Sequence, residues 1–315
     1  MNKDGFIKYL ESKELKAITI EYYVRHVEIF FTRVRKEDLQ VTKPDILKFL
    51  EYLKNGRKIQ NHTRYHYLIA LNYYFTFLYE NGKIASNPCL LLKIRGTSKK
   101  RLHKIYTPEE LDQLFDNYYQ LFVRDYDDSR HRHEKQKQYS ASCRERNAVM
   151  LCIVINQGTT TSEIDKLEMD DLDLIKATIK IRGGDRLNNR ILPLKATQIG
   201  LFINYLQNIR PKLLEYHTVE SNKLFLSLPS IGKKKTDDDK LRNPFFYLAP
   251  QIKSIDKQFY NFHQIRVSVI SFWIKTQGLR KAQYLAGHRC VSSTEKYVIN
   301  NLDNLIEDIN KLHPF

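Results

Sequence analysis

Two short stretches hold residue types that can do chemistry. "HQIR", residues 263–266, sets His263 three positions before Arg266. On a helix that spacing projects both side chains from one face. "AGHRCVSSTEKY", residues 286–297, places a Gly-His pair ahead of a polar run and ends on Tyr297, nine residues after His288. A guanidinium fork suits a phosphate. An imidazole moves protons near neutral pH. A phenol, with a pKa of about 10, is a weak nucleophile until a base or cations assist it. Each stretch also has a plain structural reading. An exposed His-Arg face is common on helices. Ser292, Ser293 and Thr294 are good N-cap types, so the second stretch alone reads as a loop leading into an ordinary helix. Tyr297 is then one packing residue among 20 tyrosines.

The rest of the chain must position these residues, and its composition narrows what they meet. The 315 residues suggest about two domains, each long enough to bury a core. Lys plus Arg number 52 against 36 Asp plus Glu, a formal charge of +16. A balance this basic points to a polyanion, most simply nucleic acid. A membrane surface is the competing reading, but there is no apolar run near the length of a span, no signal-like N-terminus and no lipidation motif. Cys89, Cys143, Cys152 and Cys290 form no C-x-x-C pair and fit no zinc spacing. They predict a reducing, cytoplasmic compartment and no structural metal. With 11 Gly and 9 Pro, the chain is neither disordered nor a many-turned β protein.

Residues 4–93 read as four helices, a small bundle. In "TIEYYVRHVEIFFTRV", Ile20, Tyr23, Val24, Val27 and Phe31 fall at helical spacing. "TKPDILKFLEYLKNG" opens with Thr42 as cap and Pro44 in the first turn. The aromatic-rich segment that follows has Leu68, Leu71, Phe75 and Leu78 at helical spacing and ends at Asn81-Gly82. Gly96-Thr97-Ser98 with Lys99, Lys100, Arg101, His103 and Lys104 make a basic linker. Thr107-Pro108-Glu109-Glu110 is a strong helix start. A charged stretch from Arg124 to Ser142 reads as a solvated loop, and "CRERNAVMLCIVINQG" as an apolar helix ending at Gly158. "ATIKI" and "RILPL" flank Gly183-Gly184-Asp185 and Asn188-Asn189 as a β-hairpin. Helices follow at about 196–217 and 263–277, separated by the loop "GKKKTDDDK".

The order His-x-x-Arg, then Leu-x-Gly-His, then Tyr nine residues later resembles the tyrosine recombinases of the phage integrase family. Further matching pieces are "TPEEL", "RNAVMLCIVINQG", "SEIDKLEMDDLDL", "LPL" and "LFLSL", so the likeness covers most of the chain. It implies a mainly α fold with a small β-hairpin: a helical core-binding domain at residues 1–95, a basic linker at 96–106, an α/β catalytic domain at 107–300 and a tail helix at 301–315. It also implies strand cleavage through a 3′-phosphotyrosyl link, with no metal and no nucleotide cofactor. Tyr297 would be the nucleophile and Arg266 would clamp the phosphate. His263 and His288 would donate to it or move protons. Gly287 would permit close approach, and the polar run 292–296 would be a movable tether for Tyr297.

Two positions depart from the family. Its first box reads Thr-Gly-(Leu/Met)-Arg-x-Ser-Glu-Leu, whereas this chain has "QGTTTSEI", residues 157–164. Gly158, Ser162 and Glu163 match, but Thr160 stands where a phosphate-clamping Arg is expected. The family's hairpin turn carries a Lys that protonates the leaving 5′ oxygen; here Gly184 or Asp185 takes that place. Arg182 and Arg186 could replace lost charge, or could be ordinary DNA-backbone contacts in a solvated turn. Lys180 lies on the strand before the turn, and Arg190 matches a basic position of the family and is placed among the DNA-binding residues.

Three functions stay open on the sequence, two of them foremost. One is an active, divergent integrase or recombinase carried by a bacterial mobile element. The other is a DNA-binding protein on the same scaffold that has lost cleavage. A relaxing topoisomerase of related chemistry is a third. In each, Lys99, Lys100, Arg101 and Lys104 would cross the duplex backbone between two domains closed as a clamp, with Arg57, Lys58 and Arg64 near the major groove. Leu302, Leu305, Ile306, Ile309 and Leu312 share one face of the tail, either docked on its own domain or packed on a neighbour in a tetramer on DNA. With double-stranded DNA as partner, affinity should fall with salt at a log–log slope of about −0.9 per neutralised phosphate. A salt titration of binding checks this, and a flat profile excludes phosphate contact as the grip.

Overall fold

The computed structural model describes residues 1–96, 104–127, 129, 133–184, 186–217, 221–226 and 242–298. The chain divides into two compact units, Met1–Arg101 and Leu102–Phe315. In the first unit, α1 (Lys3–Ser12), α2 (Ala17–Val34), α3 (Lys43–Asn55) and α4 (Asn61–Glu80) form a bundle. Local chemistry sets several ends. The Asn2 side chain accepts from Gly5 N at 3.1 Å before α1. Before α3 the Asp45 carboxylate accepts from the Thr42 N–H at 2.9 Å and from its hydroxyl at 2.7 Å. The aromatic α4 is helical because its rings pack on several sides: Tyr67, Leu68, Leu71, Tyr74, Phe75 and Leu78 are all buried. Tyr74 meets Phe6 edge-on at 5.0 Å and donates its hydroxyl to Asp38 at 2.7 Å, so its polar end is satisfied.

The second unit is built around α6 (Glu134–Gln157), whose stretch from Ala148 to Ile155 is buried throughout. Around it lie α5 (Pro108–Tyr119), the short α7 (Thr161–Asp165), α8 (Ala196–Asn204), α9 (Arg210–Leu214), α10 (Arg242–Ile255) and α11 (Phe262–Gln277). α12 (Leu279–Ala286) and α13 (Val291–Val298) close the described chain. A three-stranded antiparallel sheet runs in the order β1 (Leu172–Asp173), β2 (Thr178–Ile181), β3 (Arg190–Pro193). The register pairs Ile179 with Leu192 and Ile181 with Arg190. Ile179, Ile181, Arg190 and Leu192 are buried, and Lys180 and Ile191 face out. Strand periodicity therefore turns Arg190 inward with the aliphatic residues.

Two expectations change. The charged stretch is not a loop throughout: α6 begins at Glu134, because Glu, Lys, Gln and Ala favour helix and no Gly or Pro interrupts them. α10 occupies part of the region between the two expected helices despite Pro250 in its interior. Burial of Phe245, Leu248 and Ile252 on one face outweighs that break. The run 292–296 is helical as part of α13, as the plain reading of that stretch expected. Lys99, Lys100, Arg101, the loop "GKKKTDDDK" and the tail 301–315 lie outside the described residues. Among the described residues no helix is long and apolar enough to cross a membrane.

The segment before α5 is pinned to the helix that carries Arg266. Tyr106 N donates to Ser268 Oγ at 2.9 Å, and Gln264 Nε2 donates to Lys104 O at 3.0 Å. The Thr107–Glu110 capping box then starts α5, with Glu110 N on Thr107 Oγ1 at 3.2 Å and Thr107 N on Glu110 Oε2 at 2.9 Å. Thr107→Ala should cost about 1 kcal/mol of stability and Thr107→Ser should recover most of it. Urea unfolding of the two variants measures the difference.

Candidate active site

Arg266 sits one turn into α11 and is 2% exposed. Asn261 caps the helix by accepting from Gln264 N at 3.0 Å. The Arg266 guanidinium joins three segments. Nη1 donates to Gly158 O at 2.5 Å, at the end of α6, and lies 3.5 Å from Glu163 Oε2 on α7. Nη2 donates to Ala286 O at 2.8 Å, at the end of α12. Gly158 takes a left-handed conformation (φ 55°), and a Cβ there would stand 3.1 Å from Val269 Cγ1, so α11 can approach only a glycine this closely.

Glu163 is the anionic counterpart and is 3% exposed. Thr160 caps α7: its N–H and hydroxyl both reach Glu163 Oε2, at 2.8 and 3.0 Å. Glu163 Oε1 accepts from Arg190 Nη1 at 2.5 Å. Burial alone would raise the carboxyl pKa. The hydrogen bond and charge of Arg190, then the charge of Arg266 and the Thr160 N–H, outweigh it and hold the group below its ordinary value.

His288 enters from the turn after α12. Gly287, left-handed at φ 73°, ends that helix, and its carbonyl accepts from Asn188 N at 2.7 Å, tying the turn to the β2–β3 hairpin. His288 Nε2 lies 3.3 Å from Arg266 Nη2, which can only donate. Nε2 is therefore the acceptor, and Nδ1 carries the proton and donates to Thr294 Oγ1 at 2.9 Å. Burial, then the charges of Arg266 and Arg190, lower the His288 pKa to about 4 against the opposing pull of Glu163. The ring is neutral at pH 7. Tyr297 stacks on it with ring centroids 5.4 Å apart and 24° between planes. Burial lowers the Arg266 pKa, against the opposing pull of Glu163 and Tyr297. His263, exposed on the first turn of α11, lies 6.4 Å ring to ring from Tyr297.

His263, Arg266, His288 and Tyr297 thus come together. Of the expected substitutes for lost charge, Arg182 does not join them. Arg182 is engaged by Asp171 at 2.7 Å and Glu168 at 2.8 Å, so its charge is compensated locally. Arg186 is exposed on the hairpin turn. Arg190, expected among surface DNA contacts, is instead 2% exposed, because its register position points into the core. In the first unit Arg57 and Lys58 are exposed, while Arg64 donates to Leu50 O and Asn61 Oδ1, both at 3.0 Å. Lys104 pairs with Glu110 at 2.7 Å and lies over the Tyr106 ring. Sequence reasoning missed the pairing of Glu163 with Arg190, the Thr294 hydroxyl, and Lys166. Lys166 Nζ donates to Gly183 O at 3.3 Å and stands 3.1 Å from where a Gly184 Cβ would be. The match of Glu163 to the first box was the one signal available. Among the described residues no three His, Cys, Asp or Glu side chains group as metal ligands.

Comparison with known proteins places this geometry. The phage integrase family matches residues 131–303, and the N-terminal SAM-like domain of phage integrases matches residues 4–81. Tyrosine recombinase XerC of Oceanobacillus iheyensis is 26% identical over 317 residues, covering 99% of this chain and 95% of that protein. Tyrosine recombinase XerD of Listeria innocua is 25% identical over 323 residues, covering 99% and 98%. The XerH site-specific recombinase bound to difH substrate in a pre-cleavage complex shares the fold, with a TM-score of 0.64 at 19% identity over 97% of this chain and 84% of that one. A lambda integrase tetramer bound to a Holliday junction gives a TM-score of 0.59 at 14% identity over 93% and 75%.

The electrostatics of His288 are measurable. Its folded pKa lies below the 6.5 of a free imidazole, so the unfolded chain takes up the proton first as pH falls. The stability that His288 contributes is complete above pH 6.5 and is lost as pH falls towards about 4. Denaturation at stepped pH should show this decline, and His288→Gln should flatten it. An NMR titration midpoint near 6.5 for His288 in the native chain would contradict control by burial and Arg266.

Proposed function

The chain belongs to the phage integrase family as a tyrosine recombinase, and on that premise we propose that it breaks and rejoins DNA through a phosphotyrosyl link at Tyr297. The observation that carries this is the stacking of Tyr297 on His288 beside the buried Arg266. In the proposed step the Tyr297 oxygen bonds to the scissile phosphorus and the bond to the 5′ oxygen breaks. The phenol proton passes to His288 Nε2, which is unprotonated at pH 7 and gives up its bond from Arg266 Nη2 to take it. His263 and Lys166, at the open face and the hairpin turn, are the groups placed to protonate the leaving oxygen. Arg266 steadies charge on the non-bridging oxygens.

Residues 1–95 are the proposed core-binding domain and 107–300 the catalytic domain. The proposed partner is double-stranded DNA with paired recombination sites, and the proposed working assembly is a tetramer. The +16 charge and the shared fold with the junction-bound lambda integrase tetramer support this. Service to a bacterial mobile element rests on family resemblance alone, and the genomic sites recovered with the protein decide it.

One observation favours the second function, a DNA-binding protein without cleavage: Thr160 spends its side chain on a helix cap where the family has a guanidinium. A nicked suicide duplex separates the two. Its site is obtained by selecting bound duplexes from a random library. The parent chain should form a covalent adduct, and Tyr297→Phe should bind as tightly and form none. Arg266→Ala should lower adduct formation by about 10²-fold or more. A parent that binds the selected site and never forms an adduct is a binding protein.

A further inference from the structure

Arg190 poses an unsolved problem of charge. Its side chain is 0% exposed, yet only Nη1 has a partner, Glu163. Nε and Nη2 have none among the described residues. A guanidinium whose purpose is to lock α7 to the sheet would grip its carboxylate with two parallel N–H bonds. Here the grip is end-on, because Glu163 Oε2 already serves the Thr160 cap and faces Arg266. The edge left open is the Nε–Nη2 edge, the two-pronged side of the group that matches a pair of phosphate oxygens.

The charges around it do not balance. Within the cluster, one carboxylate, Glu163, meets two guanidiniums, Arg190 and Arg266, and His288 is neutral at pH 7. One buried positive charge remains uncompensated. Leaving it so is costly, and a phosphodiester brings the single negative charge that would balance it.

The vacancy in the first box lies at the same place. Thr160, the position lacking its arginine, bonds through its N–H and hydroxyl to the very carboxylate that holds Arg190. Space for Arg190 comes from Gly287: a Cβ there would stand 2.6 Å from Arg190 Nη1 and 3.2 Å from its Cδ. The glycine of the Gly-His pair therefore admits a guanidinium arriving from β3.

We propose that Arg190, entering from β3 and tethered by Glu163, supplies through its open Nε–Nη2 edge the second guanidinium clamp on the scissile phosphate that Thr160 cannot supply. Gly287 is a positioning residue for it. This deepens the recombinase reading and rests on it.

The test compares the parent with Arg190→Met, which keeps a flexible, unbranched apolar stem and removes the charge. Two suicide substrates are used, one with an ordinary scissile phosphodiester and one with an uncharged methylphosphonate at that position. On the phosphodiester, Arg190→Met should lose about 10²–10³-fold in adduct rate, the loss expected for one charge-stabilising donor. On the methylphosphonate, where there is little charge to steady, the loss should shrink to less than about tenfold. Thr160→Arg added to Arg190→Met should restore part of the rate. Because Arg190→Met leaves Glu163 short of a partner, Glu163→Gln with Arg190→Met removes both charges and serves if the single variant fails to fold. An equal loss on both substrates makes Arg190 a structural group and overturns the proposal. So does a parent rate in Arg190→Met on the phosphodiester. In both cases the parent adduct leaves the recombinase reading standing, whereas a parent without an adduct removes both.

Discussion

The site cluster of the second unit is organised around the carboxylate of Glu163. It is buried, ionised and shared: one oxygen takes the Thr160 cap and faces Arg266, and the other takes Arg190. Through these bonds it joins α7, β3 and α11, three elements with no sequence proximity. A buried carboxylate is tolerated only where cations and N–H groups compensate it, so each partner is fixed by the same requirement. Arg266 in turn anchors the carbonyls of Gly158 and Ala286, and so sets where α6 and α12 end relative to each other.

The same cluster governs the imidazole. His288 takes its orientation from two neighbours of different kind, a hydroxyl that accepts from Nδ1 and a guanidinium that donates towards Nε2. Its low pKa follows from burial and from facing two positive groups. The site is thus arranged around an excess of positive charge with a neutral proton acceptor beside it. That arrangement suits an anionic reacting group and an incoming phenol. Tyr297 lies against the ring on α13, whose Thr294 makes the hydroxyl contact, so one short helix carries both the phenol and the group that orients the histidine.

The departures from the family pattern acquire physical content in this setting. Thr160 is a helix cap, and the positive charge of the cluster comes from residues on other elements. The hairpin turn, lacking a lysine of its own, has the Lys166 ammonium beside it, donated from the end of α7. Arg182, which flanks the turn on one side as Arg190 does on the other, contributes nothing to the cluster because Asp171 and Glu168 hold it. Proximity in sequence was a poor guide to which cation faces the site.

What the sequence determined is local. Helix spacing and caps such as Thr42 and Thr107 placed the bundle and the start of α5, and strand alternation placed the hairpin, because those signals repeat with the period of the backbone itself. The order of His263, Arg266, His288 and Tyr297 was likewise legible, since each pair lies within a few turns along one segment. The helical start of α6 and all of α10 were not legible: a charged run and an interior proline obscured them, and burial against the rest of the unit outweighed both. The tertiary structure alone decided which charges compensate which. Arg190 was read as a DNA contact; that it is buried and meets Glu163, with two nitrogens left open, depends on how β3 packs against α7. Electrostatic energy is set by distance and burial in space, and a linear sequence carries neither for residues from separate elements.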